Sequence, residues 1–220
     1  MARFIAVEGI DAAGKSTVSQ DLSKTMDGAV LLSRETATEL LNGYARWHVA
    51  RLRQLIWGYP PGAHTSVLGV EHWRSLLTAW YAAVDELIVR PTLVGGRDVV
   101  ADSWYYKFVA RLALTIGLRR AGDSFAALSQ PDIVIWLDVP PEICVQRRSS
   151  FRATEAGEWQ AKRVADLSAS DESFVSYQRR VREVYLRLAA RHGWRTIRAE
   201  DPVGVRAALA ESLGMLEVGP

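Results

Sequence analysis

The run Gly9-Ile10-Asp11-Ala12-Ala13-Gly14-Lys15-Ser16 matches G-x-x-x-x-G-K-[ST] at all four fixed positions, and phosphate binding demands each of those residue types. Glycines let the backbone approach an anion, successive N–H groups and a helix start point at its oxygens, and the lysine adds a full charge. Ser16 is the expected ligand of a phosphate-bound Mg²⁺, and Thr17 follows it at the mouth of the loop. Average residue usage gives such a match by chance in only ~1% of chains this long. Downstream, Asp102 offers a carboxylate suited to the same chemistry. It either holds Mg²⁺ through water or orients the attacking group, or else it caps the helix that follows.

These residues need a scaffold that brings positions 9–17 and 102 together. Short β-branched runs at 4–7, 29–32, 99–101, 133–137 and 196–198 alternate with stretches of helical spacing. That pattern predicts an α/β fold, a five-stranded parallel sheet with helices on both faces. The phosphate loop then joins the first strand to the first helix, and Asp102 ends the third strand, on the edge where open sheets bind ligands. One helix is predicted over 37–57, ended by Gly58-Tyr59-Pro60-Pro61-Gly62, and another over 66–89, closed by Pro91 and Gly95-Gly96. Trp73, Leu77, Trp80 and Val84 share one inward face of the latter. No repeat or linker divides the chain, so a single domain spans 1–220.

Composition narrows the function classes. With 220 residues, 49% apolar and 24% charged, the chain can bury a substantial core and is not disordered. A net charge of +2 with dispersed Lys and Arg argues against extended nucleic-acid binding. The single cysteine, Cys144, sits among apolar residues, cannot form an intramolecular disulfide, and suits packing in a reducing compartment. The apolar start of the chain is too short for a signal peptide or a membrane span, which places the protein in the cytoplasm with no membrane partner. No N/T-K-x-D base-reading segment marks a GTPase, and the strand ending Val99-Val100-Ala101-Asp102-Ser103 lacks the Asp-Glu pair of many ATPases.

Beyond the bare loop, Phe4-Ile5-Ala6-Val7-Glu8-Gly9-Ile10-Asp11 followed by Gly14-Lys15-Ser16-Thr17 resembles the opening of thymidylate kinases. Ser33-Arg34-Glu35 is similar to that family's Thr-Arg-Glu-Pro, and Asp102 stands at its Asp-Arg-Tyr/Trp. The run Pro131-Asp132 to Leu137-Asp138-Val139-Pro140-Pro141-Glu142 is similar to Pro-Asp-x-x-x-x-Leu-Asp-Val-x-Pro-Glu, with Arg147-Arg148 beyond it. Tyr177, Arg180, Val181, Arg182 and Tyr185 match an F-x-x-R-V-R-x-x-Y helix. The order is collinear over nearly the whole chain.

The resemblance implies a P-loop kinase using ATP and Mg²⁺ on a small-molecule acceptor, and a homodimer. It implies that Gly9, Ala12, Ala13, Gly14, Lys15, Ser16 and Thr17 surround the donor phosphates and that Arg147 lies against adenine or serves the lid. A lid over about 148–165 would supply a catalytic arginine, Arg148 or Arg152, because Ala12 replaces the arginine some thymidylate kinases carry in the loop. Lys162-Arg163 lie at its far side; the other reading of this stretch is a solvated charged segment. On the acceptor side, Asp11 would approach a ribose 3′-hydroxyl and Trp80 would stack on the base or simply pack in the core. Trp104-Tyr105-Tyr106-Lys107 would offer an aromatic and cationic edge or a packed helix start.

Two positions depart from the family. Val84 and Ser103 stand where arginines hold the acceptor's phosphate, a loss of charge-assisted bonds worth ~1.5–3 kcal/mol each. Either Lys107, Arg34 or Arg74 replaces that charge and the acceptor is a nucleoside monophosphate, dTMP or a related nucleotide, or the acceptor is a nucleoside, sugar or specialised metabolite with Glu35 as general base. A non-enzymatic nucleotide-binding module is the third reading.

Overall fold

The computed structural model describes residues 1–60, 63–158 and 170–198. Pro61 and Gly62 of the predicted loop, and 159–165 of the predicted lid with Lys162 and Arg163, lie outside the described residues.

Five strands, β1 (Phe4–Gly9), β2 (Val30–Leu32), β3 (Val99–Asp102), β4 (Ile133–Leu137) and β5 (Arg195–Ile197), form one parallel sheet in the order β2-β3-β1-β4-β5. Every residue of β1 is buried, as a central strand covered on both faces requires. From β1 the chain crosses first to the β2-β3 side and later to the β4-β5 side, so the sheet has its topological switch at the carboxyl end of β1. Val7 pairs with Asp102 and Gly9 with Leu137, which sets the ends of three strands side by side there.

Helix α1 (Lys15–Thr25) follows the phosphate loop. The expected helix over 37–57 is broken into α2 (Thr36–Glu39) and α3 (Gly43–Trp57). The break lies at Asn42, whose extended backbone precedes Gly43 at φ 54°, a left-handed conformation suited to glycine. The expected helix over 66–89 begins later, as α4 (Val70–Val84) after a 3₁₀ turn at Thr65–Val67, and does not end at Pro91. It widens into a π turn (Asp85–Val89), in which the Arg90 N–H reaches back to the Asp85 carbonyl, and continues as α5 (Arg90–Val94). Pro91 falls in the first turn of α5, directly after the π turn.

Among the described residues the remaining helices are α6 (Tyr106–Ile116), α7 (Leu118–Asp123), α8 (Pro141–Gln146) and the long α9 (Asp171–His192). Ser170 caps α9 by accepting from Ser173 N–H, and the helix ends in Gly193 at φ 63°. Cys144 is buried on α8, in the packing role its neighbours suggest. Among the described residues no helix is long and apolar enough to cross a membrane.

Candidate active site

The phosphate loop is held open by geometry. A Cβ on Gly9 would stand 3.0 Å from the Leu137 carbonyl oxygen and 3.1 Å from Ala13 Cβ, and Gly14 takes φ 98° as the cap of α1. Ala12 adopts φ 63°, a strain of about 1–2 kcal/mol for a residue with a Cβ. The N–H groups at the start of α1 therefore open toward a cavity, and Lys15 arches back to donate to the Ile10 carbonyl at 2.7 Å.

That cavity, about 610 Å³, is lined by the loop, by Arg34, Trp57, Trp80 and Val84 on one wall, and by Asp102, Ser103, Lys107, Phe108 and Arg111 on another. Arg147, Arg148, Arg152, Thr154 and Glu155 cover it. All the anticipated site residues line it except Gly9, Glu35 and Tyr105. Gly9 acts from beneath by the space it leaves. Glu35 turns outward, because Ser33 Oγ accepts from the Glu35 and Thr36 N–H groups and Ser33 Oγ and Arg53 meet the carboxylate. Tyr105 precedes the first turn of α6, and two residues of helical rotation put it opposite Lys107. It stacks on Phe125 and donates to Gln130 Oε1 at 2.7 Å. Arg74 pairs with Glu71 and is not part of the cavity wall.

Trp80 is 3% exposed and also forms part of the cavity wall, edge-on to Trp57 at 5.0 Å between ring centroids. The Arg34 guanidinium covers the Trp57 ring at 5.3 Å. One wall thus presents aromatic faces finished by a cation.

Two buried carboxylates organise the rest. Glu8, fully buried, accepts from Trp104 N–H at 2.6 Å, Ser103 Oγ at 3.1 Å and Tyr185 OH at 2.8 Å. Ser103, at φ 66°, is a second non-glycine residue in the left-handed region, and Glu8 holds this turn directly after Asp102. Burial pushes the Glu8 pKa up to about 7, with hydrogen bonds from Tyr185 and Trp104 and the charge of Lys15 opposing it. Asp11 receives Lys107 Nζ at 2.5 Å on Oδ1, and Arg111 Nη2 and Gln178 Nε2, the latter at 2.9 Å, on Oδ2. Burial opposes its ionisation, but Arg111, Lys107 and Lys15 outweigh that and hold the carboxyl well below its usual range. Lys107 is lowered to about 8, by burial first, against the pull of Asp11, and also by its cationic neighbours Arg111, Lys15 and Arg34.

Neither Arg111 nor Gln178 was singled out by sequence reasoning. Lys107 and Arg111 stand four apart, one face of a helix, and that spacing downstream of Asp102 was the available signal for Arg111. Gln178 had none, since its partners are 167 and 23 residues away.

ATP fits the loop, because residues 11–17 and with them the first turn of α1 line the cavity, where a helix start favours bound phosphate. Among the described residues no group of three or more His, Cys, Asp or Glu could hold a metal. A Mg²⁺ arriving with nucleotide phosphates needs only one or two protein ligands, and Ser16 and Asp102 both line the cavity.

No protein-family profile matches the chain. It is 31% identical over 195 residues to a thymidylate kinase of Thiobacillus denitrificans, covering 84% of this chain and 81% of the relative. A thymidylate kinase of Xylella fastidiosa is 31% identical over 194 residues, with 79% and 86% covered. A probable thymidylate kinase of Thermococcus kodakarensis is 30% identical over 192 residues, with 84% and 83% covered.

The Glu8 pKa sets a direction for stability. Raised from 4.5 to about 7 on folding, the group stabilises the fold fully below pH 4.5 and loses that contribution as pH rises through 7. Gln keeps the size and can still bond Trp104, Ser103 and Tyr185. Glu8→Gln should therefore gain on the wild type by roughly 3 kcal/mol between pH 4.5 and 8, at about 1.4 kcal/mol per pH unit. Urea unfolding of both proteins across that range checks it; parallel stability curves would refute the assignment.

Proposed function

Since the chain belongs to the thymidylate kinase family, we propose that it transfers the γ-phosphoryl group of ATP to the phosphate of a deoxynucleoside monophosphate, with dTMP the first candidate. The observation that carries the reading is the position of Lys107, Arg34 and Arg111 on the cavity walls that also hold Val84 and Ser103. Cations on α6 and after β2 supply the charge those two positions lack.

Charge balance favours an anionic acceptor. Lys15, Arg34, Lys107, Arg111 and three lid arginines line the cavity, against the carboxylates of Asp11, Asp21, Asp102 and Glu155. Seven cations against four carboxylates leave a positive excess, and a Mg²⁺-bound nucleotide offsets only part of it, so an anionic acceptor is favoured over a neutral one. Glu35 supports the same side of the choice. A hydroxyl acceptor would need a general base, and the Glu35 side chain is 58% exposed beside Arg53, away from the cavity. A phosphate acceptor needs none, because its second ionisation lies near pH 6, about the value for phosphomonoesters.

In this reading the loop residues Gly9, Ala12, Ala13, Gly14, Lys15, Ser16 and Thr17 cradle the donor phosphates, and Lys15 offsets charge between them. Ser16 and Asp102 hold Mg²⁺, which would supply charge neutralisation at the transferred group. Arg148 and Arg152 approach the same group from the lid, and Arg147, whose Nη1 lies 3.5 Å from the Ala12 carbonyl, flanks the donor. Trp80 and Trp57 receive the base, Asp11 the sugar, and Lys107 with Arg34 the acceptor phosphate. Transfer breaks the bond from the γ-phosphorus to the β–γ bridging oxygen and makes one to an acceptor phosphate oxygen, leaving ADP and a nucleoside diphosphate.

A coupled ADP-release assay over nucleoside monophosphates, nucleosides and sugars tests this. Turnover with dTMP or a related monophosphate, abolished in Lys15→Ala, is expected; turnover confined to nucleosides or sugars would overturn the reading. Lys107→Gln should raise the acceptor KM roughly 10- to 100-fold, the value of one charge-assisted bond, and leave the ATP KM within about threefold, the change left when a group touches only the other substrate. An unchanged acceptor KM would remove Lys107 from the acceptor site.

A further inference from the structure

Gln178, on α9, has no exposed surface and bonds two segments far from it in sequence. Its Oε1 accepts from Asp11 N–H at 3.3 Å. Its Nε2 donates both hydrogens, one to Asp11 Oδ2 at 2.9 Å and one to the Glu155 carbonyl at 2.7 Å. Only one orientation of the amide works, because the flipped form would press an oxygen against a carboxylate and a carbonyl. A glutamate in its place would meet the same repulsion, and an apolar side chain would leave the Glu155 carbonyl and both Asp11 bonds unmet.

Glu155 is also the residue that arranges the lid arginines. Its Oε1 receives Arg148 Nη1 at 2.5 Å and its Oε2 the Arg152 N–H at 2.8 Å. Arg152 Nη1 in turn reaches the Trp57 carbonyl at 2.8 Å. The seat is tight: at Gly157, φ 94°, an added Cβ would stand 2.9 Å from the ring of Tyr177, the neighbour of Gln178. A second anchor lies at the other side of the segment, where buried Glu158 accepts from Thr65 N–H and Thr65 Oγ1, both at 2.7 Å.

We propose that Gln178 is a positioning residue that ties the lid segment 147–158 to Asp11, so that Arg148 is presented in register with the acceptor half of the site. The lid is thereby referenced to a residue of the donor loop itself, through both its backbone N–H and the carboxylate that sits between the acceptor cations. The catalytic side of this inference rests on the kinase reading; the seating of the lid does not.

Two isosteric variants, Gln178→Met and Gln178→Glu, separate positioning from packing. With Tm and circular dichroism establishing that each is folded, kcat should fall roughly 10- to 100-fold, the usual cost of a misplaced group at a transfer site, with the ATP KM little changed. Independently of any substrate, limited trypsin digestion should cut at Arg148 and Arg152 several-fold faster than in the wild type. Wild-type kcat in both variants, or unchanged lid cleavage in both, overturns the proposal. If the wild type itself transfers phosphate to no monophosphate, the digestion still decides the seating, so failure of the kinase reading is told apart from failure of this one.

Discussion

Asp11 is a carboxylate taken out of water at the lip of a phosphate loop, and that burial is tolerable only because cations and an amide close around it. Arg111 and Lys107 reach it from α6, Gln178 from α9, and the loop itself carries it. One negative charge therefore fixes the spacing of the donor loop, the acceptor wall and the helix on which the lid rests. Removing it would leave two cations facing each other across a site already rich in positive charge, so the arrangement of the acceptor half follows from this group more than from any apolar contact.

Glu8 has the corresponding role deeper in the sheet. The two carboxylates lie three residues apart on β1 and its loop, and α9 answers them with Gln178 and Tyr185, seven apart and so on one helical face. Between them Arg182 holds Asp138 at the end of β4 through two bonds of 2.6 and 3.1 Å. A single helix thus stitches the carboxyl ends of the central strands together. Among the described residues the two non-glycines in left-handed backbone, Ala12 and Ser103, sit beside the bonds of Asp11 and Glu8, as expected if local strain is held by surrounding bonds.

In the proposed acceptor site, charge is relocated without changing the fold. Val84 ends α4 with an apolar surface and Ser103 spends its hydroxyl on Glu8. The cations that face the cavity instead come from the next helix turns, where Lys107 and Arg111 are spaced to share a face. Coulomb attraction depends on distance and dielectric, not on which element carries the charge, so a phosphate can be met from α6 as well as from a strand end.

Much of this was legible in the residues themselves. The phosphate loop, the five strands and Asp102 at a strand end follow from period, spacing and glycine placement, because those encode local backbone geometry. Trp80, Lys107, Arg147, Arg148 and Arg152, expected from type and order along the chain, line the cavity. Glu35 was placed in the site by the Ser33-Arg34-Glu35 resemblance and Tyr105 by its nearness to Asp102, and a Ser33 cap and helical rotation turn them away, both set at the level of single turns. The continuation of the helix through Pro91 needed the π turn before it. What only the tertiary structure decided is the partnership of Asp11 with Arg111 and Gln178 across 100 and 167 residues of chain. No local rule encodes it, since a buried charge selects its partners by where packing brings them.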